Sequence, residues 1–505
     1  MVKTMNTFMA NIKAQSNYGY TENGAVKHTS TLNKVLDMFA MGGAYRQRSE
    51  EDCILLFKEA FEAHRDTALR CLFYLRDVRG GQGERRFFRV CFKWLCNSYP
   101  VVARKQLSRV SEYGRWDDVL YATENTPVFE DALNMLGEQF VLDIQCKTPS
   151  LLAKWLPSEN ASSAATKRMA VKVRKSFGLS SREYRKALSM LRARINVLER
   201  LMSAGKWDEI EFDKIPSRAG MIYRNAFARR DLIAAKYEAF AKNTETKVNA
   251  KALYPHEIAH EALNKARRTN VDSTDRLMLQ KYWDNLENYY GDNQENGLAI
   301  VDTSGSMGGQ PIEVALSLGA YIAEKAHGPF ANHFISFSTK PELIEFKGVD
   351  ITDKFARAYG AAWQMNTNLK AVFDMLLKVA RNKNTKPEDM PTRLYIISDM
   401  EFDGCITLGN EDRGYWNRLM PMSRGDIDTL VESIKKEWAA YGYKLPQIVF
   451  WNVDARTQNI PAIGEGFSYV SGFSPTMIKE ILSGKDGIDL MLEVLNSDRY
   501  NQICA

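Results

Sequence analysis

From about Leu32 to Tyr290 the apolar residues recur at three- and four-residue spacing, as in Leu188, Leu191, Ile195, Leu198 and Met202, which sets them along one helix face. This half of the chain reads as helix throughout. Short breaks at Gly80-Gly81, Pro100, Tyr113-Gly114, Pro127 and Pro157 cut it into separate helices, predicting stacked antiparallel pairs. No repeat of fixed period stands out, yet a helical solenoid is the architecture expected of such a run. The first thirty residues are polar and predict an extended arm.

The pattern changes after a polar stretch of turn-forming residues, Gly291 to Gly297. Short apolar runs now alternate with helical segments: Leu298–Val301, a helix from Pro311, Phe334–Phe337, Leu343–Phe346, a helix from Asn368, Leu394–Ser398, a helix from Asp426, Ile448–Val453, Tyr469–Val470 and a helix from Pro475. Such alternation predicts a doubly wound, mostly parallel sheet with helices on both faces. The organisation expected is a helical domain over residues 1–290, a linker over 291–297 and an α/β domain over 298–505. Two polar inserts, Asn382–Pro391 and Asp403–Asp426, predict loops at the rim of the sheet.

Composition narrows the class. The 505 residues are 45% hydrophobic and 26% charged, which excludes disordered, collagen-like and disulfide-scaffold proteins. No stretch approaches the roughly 18 consecutive apolar residues of a membrane span, and the start lacks the apolar core of a secretory signal, so a soluble, cytoplasmic protein without a membrane partner is expected. Seven scattered cysteines with no C-x-x-C pair predict reduced core thiols. The formal charge of +6 is mild, but its distribution is not: residues 161–200 hold eleven Lys and Arg against Glu183 and Glu199.

Open α/β sheets bind ligands at the carboxyl ends of their strands. The first such turn reads Asp302-Thr303-Ser304-Gly305-Ser306, one carboxylate and two hydroxyls at alternate positions. Oxygen-only ligands suit a hard cation such as Mg²⁺. Later strand ends add Thr367 and Asp399, with Glu401 and Asp403 as substitutes for the latter. The plainer alternative is that Ser304 or Ser306 caps a helix. The ordered set resembles the metal-ion-dependent adhesion site of von Willebrand factor A domains. That resemblance implies that Asp302, Ser304 and Ser306 ligate the metal directly, that Thr367 and Asp399 complete the shell directly or through water, and that one position stays open for an acidic group of a partner.

Leu75 to Arg86, with its core Arg76-Asp77-Val78-Arg79-Gly80-Gly81-Gln82-Gly83, together with Tyr113 to Asp118, Ala153 to Ser158, Met400 to Asp403 and Val470 to Ser474, resembles an uncharacterised family of plant, fungal and viral proteins. More distantly, helices followed by an A-domain resemble Ro autoantigen-like proteins, with their HEAT-like TROVE repeats. The Ro resemblance implies binding of structured or single-stranded RNA. A phosphate backbone would be met by Lys167, Arg168, Lys172, Arg174 and Lys175, and by Arg185, Lys186, Arg192 and Arg194, which lie off the apolar stripe of the next helix. Arg76, Arg79, Arg85 and Arg86 around the glycine-rich turn are further candidates. No strand precedes that turn and no Lys-Ser/Thr follows it, so a helix-to-helix turn is favoured over a nucleotide loop, and ion pairs with Asp77 and Glu84 would make it a clamp.

His256-Glu257-Ile258-Ala259-His260 spells H-E-x-x-H, the zinc-peptidase pattern. Pro255 places it at a helix start, no third histidine follows at the expected spacing, and Glu287 is the one further ligand to consider, so helix-start packing is the expected role. The function expected is RNA binding without catalysis; the competing class is an adaptor that takes an acidic protein partner at the metal.

Overall fold

The computed structural model describes residues 17–195, 198–267, 273–291, 293, 295–337, 341–361, 368–402 and 429–505. Helices run from Lys34 to Asp284 and an α/β sheet occupies the second half, the fold class that the periodicity predicts.

The helices are set by local signals as much as by their apolar stripes. Ser49 caps Glu50–Ala63, Glu84 caps Arg85–Ser98, and Ser180 with Glu183 forms a capping box on Ser181–Arg194. Single residues, His64 and Tyr99, join successive helices (Glu50–Ala63 to Arg65–Arg76, Arg85–Ser98 to Pro100–Tyr113), which pack on one another. Cys53, Cys71, Cys91 and Cys96 lie free and buried among them, as expected of core thiols.

A small antiparallel hairpin, β1 (Tyr18–Tyr20) and β2 (Val26–His28), precedes the helices. The arm expected at the amino end is therefore folded from Asn17 onward. It lies on the sheet domain: the backbones of His28 and Ile460 exchange hydrogen bonds of 2.9 and 3.0 Å.

The main sheet has six strands in the order β5-β4-β3-β6-β7-β8. They are β3 (Gly297–Asp302), β4 (His333–Phe337), β5 (Glu342–Glu345), β6 (Arg393–Ser398), β7 (Gln447–Asn452) and β8 (Phe467–Ser471). All neighbours are parallel except β4 and β5. Strands β3, β6 and β8 are buried at every position, as expected of parallel strands covered on both faces. Helices start at Gln310, Leu369 and Leu430. Pro475 opens a short 3₁₀ turn before Ile478–Ile481 in place of a long helix. The expected helix start at Asp426 and the insert Asp403–Asp426 lie outside the described residues. Of the insert Asn382–Pro391, the first two residues end the helix Leu369–Lys383, and a 3₁₀ turn spans Pro387–Asp389. The polar stretch before β3 is anchored at its end, where Glu295 accepts from Tyr395 Oη at 2.7 Å and pairs with Arg393.

Both ends of the helical half rest on the sheet. Near the start, Gly43 N donates to Ser471 Oγ at 2.9 Å, and Ser471 Oγ donates to Phe39 O at 3.0 Å, so this segment covers edge strand β8. A Cβ on Gly43 would stand 2.5 Å from the Ser471 carbonyl oxygen, so only glycine permits the approach. At the other end, Pro255–Ala266 packs on Gln310–Lys325 and Ile351–Ala361, and Arg276 forks onto Asp350 at 2.7 and 2.8 Å. The chain's last residues return to the first helices through Asp77, whose fully buried carboxylate takes Tyr500 Oη at 2.8 Å and Arg499 Nη2 at 2.7 Å. Replacing Asp77 by alanine strands these donors. The expected loss is about 2–4 kcal/mol, moderated because Arg499 is partly exposed. Chemical unfolding checks it, and an unchanged midpoint contradicts this role.

Candidate metal centre and basic face

Strand order reverses between β3 and β6: the chain leaves β3 toward β4 on one side and returns to β6 on the other. The carboxyl ends of β3 and β6 thus flank a topological switch point, where open sheets hold ligands. Asp302 ends β3 and Asp399 follows β6, both essentially fully buried.

Asp302 Oδ1 accepts from Ser304 N at 2.9 Å and its Oδ2 from Ser398 Oγ at 2.5 Å. The hydroxyls of Ser304 and Ser306 are 2.9 Å apart. Asp399 Oδ1 accepts from Glu401 N at 3.1 Å, whereas its Oδ2 is buried with no hydrogen-bond partner. The nearest cation, Arg456 Nη2, stands 3.8 Å from that oxygen. Burial first, then the charge of Asp399, pushes Asp302 up to about 7; burial also raises Asp399, against the Ser306 hydroxyl. Two carboxylates, one of them with an orphaned oxygen, and two hydroxyls form a donor set that fits a hard divalent cation. The capping alternative is not met: Ser304 makes no side-chain cap bond to the turn Gly305–Met307, and Gly309 precedes Gln310–Lys325.

Thr367 and Asp403 lie outside the described residues. Glu401 does not substitute for Asp399, because its carboxylate is buried under the amino-terminal hairpin, accepting from Glu22 N at 2.7 Å and from the Thr457 hydroxyl. Ser398 and Arg456 were not singled out by sequence reasoning. Ser398, one residue before Asp399 at a strand end, was within reach of that reasoning; Arg456, in the loop after β7, carries no motif.

The basic candidates divide. Arg76 is buried and bonded to Asp118 Oδ2, with Nε at 2.9 Å, so it is withdrawn from any external ligand. Arg192 is half-buried on the carbonyls of Ala153 and Leu156 at 2.8 and 3.0 Å and on Ser158 Oγ. Arg174 pairs with Glu159 and Lys172 with Glu124, both at 2.8 Å. Arg194 donates to Ile144 O and Arg79 to Glu112 O, both at 2.7 Å, and Arg86 lies 3.7 Å from Cys53 Sγ. Exposed and in no ion pair among the described residues are Lys167, Arg168, Lys175, Arg185, Lys186 and Arg85. Of these, Arg185 borders a groove of about 670 Å³ that also meets Lys154, Arg192 and Arg200.

The glycine-rich stretch joins two helices, the reading favoured above; Asp77 and Glu84 pair with Arg499 and Arg46 rather than with the arginines of the turn, so it is not the ion-pair clamp given as the alternative. Gln82 Nε2 donates to Tyr74 Oη at 2.7 Å, and Gln82 Oε1 accepts from Ser474 N at 3.3 Å. The H-E-x-x-H residues do not converge. His256 is buried edge-on against Phe473, held down to about 3 by burial and by Arg46 and Arg218, while His260 is exposed and bonds Glu313 and Asn264. Glu257 accepts from Tyr254 N at 2.9 Å, the helix-start role expected, and among the described residues no three His, Cys, Asp or Glu side chains gather to hold a metal.

The fold and this site define a two-part chain, helical half and α/β sheet, with two buried carboxylates at the sheet's switch point. The chain belongs to the family described as Domain of unknown function (DUF2828), which matches residues 21–136 and 143–288. Domain of unknown function (DUF7788) matches residues 296–502. Uncharacterized protein L728 of Acanthamoeba polyphaga mimivirus is 29% identical over 535 residues, covering 97% of this chain and 89% of that protein. Among solved structures, the crystal structure of Deinococcus radiodurans RO (RSR) protein is similar with a TM-score of 0.36 and 12% identity, over 92% of this chain and 99% of that one. No described helix is long and apolar enough to cross a membrane.

The raised value of Asp302 has a sign that can be checked. A carboxyl whose folded-state value exceeds its unfolded value stabilises the fold while protonated; that contribution is full below about pH 4 and is lost as pH rises through the folded value near 7. Metal-free protein is expected to lose stability from pH 5 to pH 8, and Asp302→Asn, neutral throughout, to lose less. Denaturation midpoints in EDTA measure this, and an equal loss in the variant contradicts it.

Proposed function

We propose that this protein is a cytoplasmic RNA-binding protein that holds a divalent cation, magnesium, at the switch point of its sheet, and that it binds rather than catalyses. The observation that carries the RNA reading is the set of exposed cations Lys167, Arg168, Lys175, Arg185 and Lys186, on the helices Ala164–Ser176 and Ser181–Arg194 and in no ion pair among the described residues. Clustered cations attract a phosphate backbone by releasing its counterions, largely without regard to sequence. Unpaired ends and helix shape would then provide selection. The resemblance to Ro-type proteins drawn from the sequence supports the same ligand.

The metal reading rests on the chemistry of the donors. Asp302, Ser304, Ser306 and Asp399 would hold the cation, with Thr367 as the further ligand expected from the sequence. Bound there, the cation would neutralise two buried carboxylates and offer an open position to an anionic group. The unpartnered Asp399 Oδ2 favours a second reading, an adaptor that captures an acidic protein partner at this position.

Filter binding of a hairpin RNA with a single-stranded tail tests the first reading. Affinity is expected to fall linearly in log–log against salt, by about 0.7–0.9 log units per phosphate neutralised for each tenfold rise in salt. The triple charge reversal of Lys167, Lys175 and Lys186 to Glu is expected to weaken binding at least about tenfold at low salt. Unchanged affinity in that variant contradicts the reading.

A further inference from the structure

The helices Leu152–Trp155, Ser181–Arg194 and Leu198–Ser203 border a groove of about 670 Å³, within the roughly 300–1,000 Å³ span of small-ligand sites. Lys154, Arg185, Arg192 and Arg200 line it, and none of the four is in an ion pair among the described residues. The two carboxylates of the lining do little to balance them. Glu159 is taken by Arg174 at 2.8 Å and by the Ser181 hydroxyl at 2.5 Å. Glu199 accepts from Tyr223 Oη at 3.3 Å, and its other oxygen is buried from solvent. Arg192 is the fixed point of the groove. Of the five N–H groups of a guanidinium, three donate here to Ala153 O, Ser158 Oγ and Leu156 O at 2.8, 2.9 and 3.0 Å, which sets its plane. These acceptors are neutral, so its charge stays unbalanced, and burial holds the guanidinium below the usual arginine range. A half-buried cation without a counter-charge is costly, and four cations around one space favour an anion there.

We propose that this groove is a binding site for a phosphate monoester, the doubly charged phosphate of a nucleotide, either free or at the end of an RNA chain. The inference goes beyond the RNA reading, in which exposed cations meet singly charged backbone phosphates without a fixed site. A phosphate monoester carries about −1.5 to −2 charge at pH 7 and three strong acceptor oxygens. The guanidinium forks of Arg185, Arg192 and Arg200 suit paired hydrogen bonds to such oxygens, and Lys154 adds a compact charge. A carboxylate, with one charge and two oxygens, would leave most of these donors unused. Because Arg192 is already oriented, less side-chain freedom is lost when the anion binds. Buried Leu188 in the same lining gives the sugar or base an apolar contact.

Calorimetry on the full chain with adenosine 5′-monophosphate and with its phosphate methyl ester tests the site. The monophosphate is expected to bind about tenfold more tightly than the singly charged ester. Lys154→Gln combined with Arg200→Gln, two side chains in no ion pair among the described residues, is expected to weaken monophosphate binding about tenfold. A single-stranded RNA with and without a terminal phosphate then locates the source. A tightening of about tenfold that the double variant abolishes assigns the site to RNA ends. Equal binding of the two RNAs, beside tight monophosphate binding, assigns it to a free nucleotide. Equal affinity for the monophosphate and its methyl ester overturns the monoester assignment, and monophosphate affinity unchanged in the double variant overturns the site. Absence of monophosphate binding, together with no effect of the terminal phosphate, overturns the proposal while RNA still bound leaves the RNA reading standing. Monophosphate bound without either RNA upholds the site and overturns the RNA reading alone.

Discussion

Two carboxylates buried side by side constrain the rest of this molecule. Asp302 and Asp399 are brought together because β3 and β6 are parallel neighbours at the point where strand order reverses, so both chains leave the sheet at the same edge. Burying like charges this closely is costly unless a proton or a cation is present. The local structure meets part of that cost: Ser304 N and Ser398 Oγ bond Asp302, and Glu401 N bonds Asp399. One oxygen is left over, and Arg456 approaches without reaching it.

The surrounding architecture holds this edge in place. The amino-terminal hairpin grips the loop after Asp399, with Thr21 Oγ1 donating to Phe402 O at 2.6 Å and Asn23 Nδ2 donating to Glu401 O at 2.6 Å. The helical half begins over strand β8 and returns against the helix Gln310–Lys325, which starts three residues after Met307. The chain's last residues close on Asp77. Helices and sheet therefore share one set of contacts, and the edge that holds Asp302 and Asp399 is flanked by segments from distant parts of the sequence.

Much of this was legible beforehand. The strands of the sheet domain fall within a residue or two of the apolar runs, because parallel strands covered on both faces are buried along their length; the antiparallel edge strand β5, exposed at three of its four positions, is the exception. The neighbourhood of Asp302, Ser304, Ser306 and Asp399 was legible as well, since alternate positions of a strand-to-helix turn face one point beside the next parallel strand; Thr367 lies outside the described residues. Three features were not. Polar composition suggested an extended arm at the amino end, but Thr21, Lys27 and His28 are polar because they bond the sheet domain, not water. Charge counting overstated the basic face: Arg76 and Arg192 are cations whose partners, a carboxylate and three backbone or hydroxyl oxygens, come from residues tens of positions away. Arg456 approaches Ser306 across 150 residues of sequence, a separation that no local pattern encodes.

On the proposed reading a single hard cation sits among Asp302, Ser304, Ser306 and Asp399. Crystals of the full chain soaked in manganese, with anomalous differences measured at the manganese edge, test it most directly. One dominant peak is expected within ligating distance of oxygens from Asp302, Ser304 and Ser306, with Asp399 beside it. A map with no peak there, or with its strongest peak at His256 and His260, would contradict it.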